Sequence, residues 1–235
     1  MAPSDSASAD DGATSRNLRA RMILYHFPTS AFARRVRLTL ALKGLAAELR
    51  DARADDRHLQ ELRRLNPFHT VPVLVDGERV VCDSVAICDY LDRKAPAPPL
   101  WPEGVAGAEA FEIATATSNV VHILADLGVR YAPLHGDANY PAVREALVGR
   151  VQRGLDHLAS LVEARAGASP YLVGGAWSGA DIALYTTVAW LEGLGPRSAT
   201  YPPAKRVVDL GWTLPPSLST WAAPHRNRPD VRALD

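Results

Sequence analysis

Cysteine is scarce in this chain: 235 residues carry two, Cys82 and Cys88. Their spacing suits neither a metal-ligand set nor a redox pair, and their apolar neighbours suit buried, reduced thiols. Net charge is also missing, with 26 basic side chains against 26 acidic ones. No overall field therefore favours nucleic acid or an acidic membrane surface. No stretch approaches the roughly 18 apolar residues needed to span a membrane. The first residues contain no apolar run of the signal-peptide kind, and no internal repeat is found. The expectation is a soluble, cytoplasmic protein without a metal, whose ligand is recognised by a local site.

The chain is long enough for two domains, since domains commonly run on the order of 100 to 150 residues. Residues 1–21, rich in Ala, Ser and Asp without periodicity, predict a disordered tail. Residues 22–27 form an apolar run ending at Pro28, as a buried strand would. Thr29 and Ser30 then offer hydroxyls to cap a helix over 31–43, with Phe32, Val36 and Leu40 on one face and Gly44 as its stop. A second strand is expected over 45–51, and a helix over 57–65 that ends before Asn66-Pro67. Residues 71–75 and 79–82 read as a hairpin about Asp76-Gly77, followed by a helix over 84–94. The result is an α/β domain over 22–95 with a mixed four-stranded sheet.

Residues 96–105 are rich in proline and read as a linker. From 106 to 235 the period is helical throughout. One helix is expected over 108–131 and another from about Pro141, with Leu147, Val151, Leu155, Leu158 and Val162 along one stripe. Ser178 and Asp181 have the spacing of a capping box that opens a third. Trp212, Trp221 and several prolines in the tail predict short helices packed back onto the molecule.

Chemistry concentrates around Val71-Pro72. A proline at the start of a strand leaves the preceding residue's backbone free to pair elsewhere. A dozen residues later Asp83-Ser84 opens a helix. A free strand edge beside a helix N-terminus suits a small extended peptide with an anionic end. Taken alone, Asp83-Ser84 suits a plain helix cap better than a ligand site, because these residue types dominate helix N-caps.

Together these residues resemble the cytosolic glutathione transferases. The resemblance runs from Leu24-Tyr25 through Ser30, Arg35-Val36-Arg37, Lys43-Gly44-Leu45, Asn66-Pro67, Val71-Pro72-Val73-Leu74 and Asp83-Ser84 to Ser178 and Asp181. It implies a thioredoxin-like domain followed by an all-helical one, a twofold homodimer, and glutathione as co-substrate. On this resemblance Val71 exchanges backbone hydrogen bonds with the cysteinyl part of glutathione, beside a cis bond to Pro72. Asp83 takes the γ-glutamyl ammonium, and Ser84 takes its carboxylate.

Ser30 matches the catalytic serine of the serine-type branches, zeta-like or theta-like, where the hydroxyl stabilises the attacking thiolate. Its alternative role is a helix cap, and Thr29 could share the catalytic one. Many relatives have glycine where this chain has His69, and a basic residue where it has Thr70. The glycyl carboxylate then needs another cation, with Arg57 ranked above His58 because a guanidinium grips a carboxylate in bidentate fashion. A pocket for a small hydrophobic electrophile is expected from Thr29, Phe32, Ser118, Asn119 and His122.

The implied activity is conjugation of glutathione to that electrophile. A glutathione-dependent isomerase or lyase and a non-catalytic binding module of the same fold are the alternatives.

Overall fold

A computed structural model describes residues 22–234; the tail expected over 1–21 lies outside them. Strand β1 (Met22–His26) runs parallel to β2 (Ala47–Asp51) and antiparallel to β3 (Val73–Asp76), which pairs with β4 (Arg79–Cys82). The order β2-β1-β3-β4 makes the expected mixed four-stranded sheet. Asp76 pairs with Arg79, so Gly77-Glu78 is the turn, and Gly77 adopts φ 62°.

Alternation along the central strands divides the core. Leu24 and Leu74 point to one side and join Val36, Leu40 and Ile87 of helices α1 (Ala31–Leu42) and α3 (Ser84–Lys94). Tyr25 and Val73 point to the other and join Leu62 of α2 (Asp56–Leu65). This is the period of two that a sheet covered on both faces demands. Strand β3 starts two residues later than expected. The peptide between Val71 and Pro72 is cis, and the Val71 N–H and C=O have no backbone partner among the described residues.

The helical part is built on α6 (Gly179–Glu192), which is buried on nearly every side. Helices α4 (Val105–Ala125) and α5 (Tyr140–Arg165) flank it, with Pro141 in the first turn of α5 as expected. The capping box at the start of α6 is formed, and its Asp181 is fully buried. The short tail helices are α7 (Leu194–Arg197), α8 (Pro202–Val208), α9 (Pro216–His225) and α10 (Pro229–Arg232).

The helix expected through Tyr131 instead leaves α geometry at Asp126. Residues Asp126–Arg130 form a π turn, closed by the Tyr131 N–H on the Asp126 carbonyl at 2.8 Å. Helix α8 presses on this turn at Gly128, where a Cβ would lie 2.4 Å from Val207 Cγ2. Arg206 Nε donates to the Gly128 carbonyl at 2.6 Å, so the distorted turn keeps a partner for a freed acceptor.

The two parts meet chiefly where α1 packs on α6. The linker is tied down by buried Lys43, which donates to Asp92 at 2.5 Å and to the Pro98 carbonyl. Further along, the Leu100 carbonyl accepts from Gly179 N at 2.8 Å. Among the described residues no helix is long and apolar enough to cross a membrane, and no cluster of His, Cys, Asp and Glu has the makings of a metal site.

Candidate functional site

The N-termini of α1 and α3 open on one cleft of about 330 Å³ between the sheet domain and the helices. Both helix ends present unpaired N–H groups and positive partial charge, so the cleft favours anions. Ser30, Val71, Pro72, Asp83 and Ser84 all line it. Residues far apart in the chain are thus brought to one place by the β1–α1 and β4–α3 junctions.

Each polar side chain here is held on one side by the protein and retains unused capacity. The Ser30 oxygen caps α1, accepting from Ala33 N at 3.3 Å. A hydroxyl carries one donor and two acceptor sites, so capping leaves its O–H free to donate. The cap role and the thiolate role are therefore compatible. Asp83 uses one oxygen, Oδ1, to take Val85 N at 2.8 Å and Ala86 N at 3.2 Å. Its other oxygen has no partner among the described residues. Ser84 accepts from Arg35 Nη1 at 3.0 Å, again leaving its O–H as a donor.

Two backbone positions beside the cleft are left-handed without being glycine: His69 at φ 53° and Asp83 at φ 74°. Such conformations cost of order 1 kcal/mol or more and gather at ligand sites. The glycine that the resemblance leads one to expect at position 69 would adopt this value without a Cβ penalty.

The electrophile side departs from expectation. Thr29 and Phe32 line the cleft, and the His122 ring lies tilted against that of Phe32, with centroids 4.4 Å apart. Burial of the imidazole lowers its pKa, with Asp126 opposing, so it is neutral near pH 7. Ser118 does not line the cleft: it is buried beneath, where its oxygen accepts from Arg35 Nη1 at 2.8 Å. Asn119, one helical step of about 100° further on, is exposed and faces away from the cleft residues. The π turn supplies Asp126, Val129 and Arg130 to the wall instead.

Arg57 is not in the cleft. Its guanidinium, 85% exposed, folds back on Asp55, the cap of α2, at 2.7 Å and holds that carboxyl at about 2. An acid two residues away captured the cation before any ligand could. His58 likewise turns to the Asp51 carbonyl at 3.2 Å.

The cations that do line the cleft are Arg53, Arg130 and Arg197. Arg130 is paired with Asp126 at 2.6 Å. Arg53 lies 4.1 Å over the Phe27 ring and reaches Thr29 Oγ1 at 3.4 Å, while Arg197 reaches the Thr29 carbonyl at 3.4 Å. Neither Arg53 nor Arg197 has a carboxylate partner among the described residues. Sequence reasoning passed over both, since nothing local distinguishes either arginine from any other. A second groove continues from the cleft past Phe68, Cys82 and His122, and Cys82 is only half-buried there.

Comparisons with known proteins agree with this fold. The family model described as "Glutathione S-transferase, N-terminal domain" matches residues 24–99, and that described as "Glutathione S-transferase, C-terminal domain" matches residues 141–222. The chain is 32% identical over 196 residues to Glutathione S-transferase 1 of Dianthus caryophyllus, covering 80% of this chain and 86% of that one. It is 42% identical over 96 residues to a protein of Vibrio cholerae named "Probable maleylacetoacetate isomerase", covering 39% of this chain. That match spans 44% of the relative's own length. Among solved structures, a glutathione S-transferase from Methylobacillus flagellatus, with GSH bound, superposes with a TM-score of 0.69 at 23% identity. It covers 91% of this chain and 98% of that one, and carries the fold.

Proposed function

The chain belongs to the glutathione S-transferase family, and on that premise we propose that it binds glutathione and activates its thiol for attack on a small electrophile. The carrying observation is the unused bonding capacity of Ser30, Asp83 and Ser84, all lining one cleft with the unpaired backbone of Val71. Each matches a part of the tripeptide. Val71 pairs with the cysteinyl backbone as an added strand would. The spare Asp83 oxygen takes the ammonium, and the Ser84 hydroxyl donates to the γ-glutamyl carboxylate at the α3 N-terminus.

Ser30 donates to the sulfur. The bound thiol gives up its proton to solvent, and the thiolate lone pair forms the new carbon–sulfur bond. In conjugation the leaving group departs with its electron pair.

Arg53 takes the glycyl carboxylate in this reading, in place of Arg57. Arg53→Gln is expected to raise the KM for glutathione about five- to tenfold, within the tenfold that about 1.4 kcal/mol represents. Arg57→Gln, which loses an exposed ion pair worth little, should stay within about twofold. Steady-state kinetics with varied glutathione separate the two; a larger effect for Arg57→Gln than for Arg53→Gln would return the assignment to Arg57.

A second reading is favoured by Arg197. With one partner assigned to each charged end of glutathione, this cation remains for the electrophile, which then carries a carboxylate. The name of the Vibrio cholerae relative supports the same direction. Thiolate addition to a carbon of a cis double bond, rotation about the resulting single bond and expulsion of the thiolate give the trans isomer with no net change in glutathione.

Calorimetric titration with glutathione tests the shared premise, with saturable heat expected. No heat at millimolar ligand overturns it. Turnover of an activated chloroarene against that of a cis-enone dicarboxylate then decides between conjugation and isomerisation.

A further inference from the structure

Arg35, on the buried side of α1, is 2% exposed and has no carboxylate within ion-pair distance among the described residues. Its partners are hydroxyls. Nη1 donates to Ser84 Oγ at 3.0 Å and to Ser118 Oγ at 2.8 Å, and Nη2 reaches Thr117 Oγ1 at 3.4 Å. Its Nε has no partner among the described residues, and its guanidinium carbon lies 5.8 Å from the Phe32 ring. Ser118 and Thr117 pass their own protons to the Ala114 carbonyl, at 2.9 Å and 2.8 Å. Of the three hydroxyls only Ser84 lines the cleft.

A buried cation without a counter-ion costs several kcal/mol, and three neutral hydroxyls do not cancel its charge. Hydrophobic residues of similar volume would serve packing between α1, α3 and α4 as well or better. Burial depresses the guanidinium's pKa, with Cys88 and Asp83 pulling the other way. What the arrangement does provide is directional. By donating to Ser84 Oγ, Arg35 occupies one of the oxygen's two acceptor sites from the buried side and leaves its O–H to donate toward the cleft. Hydrogen bonds in a chain also polarise one another, so a hydroxyl that accepts from a guanidinium is the better donor to an anion.

We propose that Arg35 is a positioning residue for the γ-glutamyl α-carboxylate, serving as its buried counter-charge through the Ser84 hydroxyl. The proposal rests on the glutathione reading above. It makes the anion site a relay in which the ligand touches the serine and the serine carries the contact to the arginine. Removing the charge should weaken only ligands that bear that carboxylate.

The test compares glutathione with the tripeptide analogue γ-aminobutyryl-Cys-Gly, which keeps the amine, thiol and glycyl end but lacks the α-carboxylate. Binding of both to the full chain is measured by calorimetry, for the unmodified protein and for Arg35→Gln and Arg35→Lys. Arg35→Gln keeps donors for the hydroxyls but removes the charge. It should weaken glutathione about tenfold while leaving the analogue within twofold. Arg35→Lys should recover most of the loss.

Equal weakening of both ligands, or an unchanged glutathione affinity in a folded Arg35→Gln protein, overturns the proposal. Should Arg35→Gln fail to fold, Arg35→Met, which fills similar volume without the charge, takes its place. A preference for glutathione over the analogue reduced about tenfold supports the proposal, and an unchanged preference overturns it. Absence of glutathione binding by the unmodified protein is a different failure, and removes the parent reading as well.

Discussion

Ser30→Ala should lower kcat/KM at pH 7 by about 10- to 100-fold while changing glutathione affinity little. A hydrogen bond to a charged group contributes about 1.5 to 3 kcal/mol, and here that group is the thiolate, so the bound thiol's pKa rises by about one to two units. A free thiol has a pKa of about 8.5, so the variant's bound thiol is mostly protonated at neutral pH. The sign of the pH effect follows: the deficit is greatest below the unmodified protein's thiol pKa and shrinks as pH rises through the variant's. Thiolate absorbance of the bound complex, followed against pH, measures the shift independently of any electrophile. The substitution also removes the α1 cap, for about 1 kcal/mol of stability. A kcat/KM within twofold across the pH range would leave Ser30 as a cap and nothing more.

Asp181→Ala should cause the largest loss of stability of any single substitution considered. Asp181 is fully buried and takes three donors: Leu172 N at 2.8 Å, Ser178 N at 2.8 Å and Ser178 Oγ at 2.7 Å. Burial raises its pKa, against those same hydrogen bonds, so removing the carboxylate recovers some desolvation energy. What remains is a lost cap of about 1 kcal/mol and orphaned donors at about 1 to 3 kcal/mol each. Roughly 3 kcal/mol is the expected net cost.

In a chain of this size 3 kcal/mol lowers the melting temperature by roughly 6 to 12 °C. Ser178→Ala loses the cap and one of the three donors to Asp181 but orphans no backbone N–H at Leu172, and should cost about 1 to 2 kcal/mol. Denaturant titration of the two variants gives the ordering. A smaller loss for Asp181→Ala than for Ser178→Ala would mean that the Leu172 segment finds another acceptor.

Those two sites also show how far the sequence could be read. The capping box is local, four residues whose identities dictate their own bonds, and it forms as its spacing requires. The strand and helix order of the first domain was equally readable, because period and turn residues are short-range signals. Val71, Asp83 and Ser84 carry a shared pattern and meet in one cleft.

What the sequence did not show depends on neighbours distant along the chain. Arg57 looked available until Asp55 was seen to hold it. Ser118 has the right spacing to His122 but is claimed by Arg35, which sits 83 residues earlier. Arg53 and Arg197 come from different domains and converge at Thr29. Charge capture and interdomain convergence leave no periodic trace, so the cationic side of the cleft stayed invisible.

The π turn at Asp126–Arg130 has a consequence for reading alignments. Five residues there span what an α-helix would cover with about four, so the segment is in effect a one-residue insertion absorbed without a loop. Removing one residue would rewind the wall and swing everything after it by about 100°, carrying Val129 and Arg130 off the cleft while the helix itself continued. A single-position gap at this point, between this chain and a relative, therefore marks a change in what the pocket presents to a substrate. Elsewhere on the surface the same gap would be only a difference in loop length.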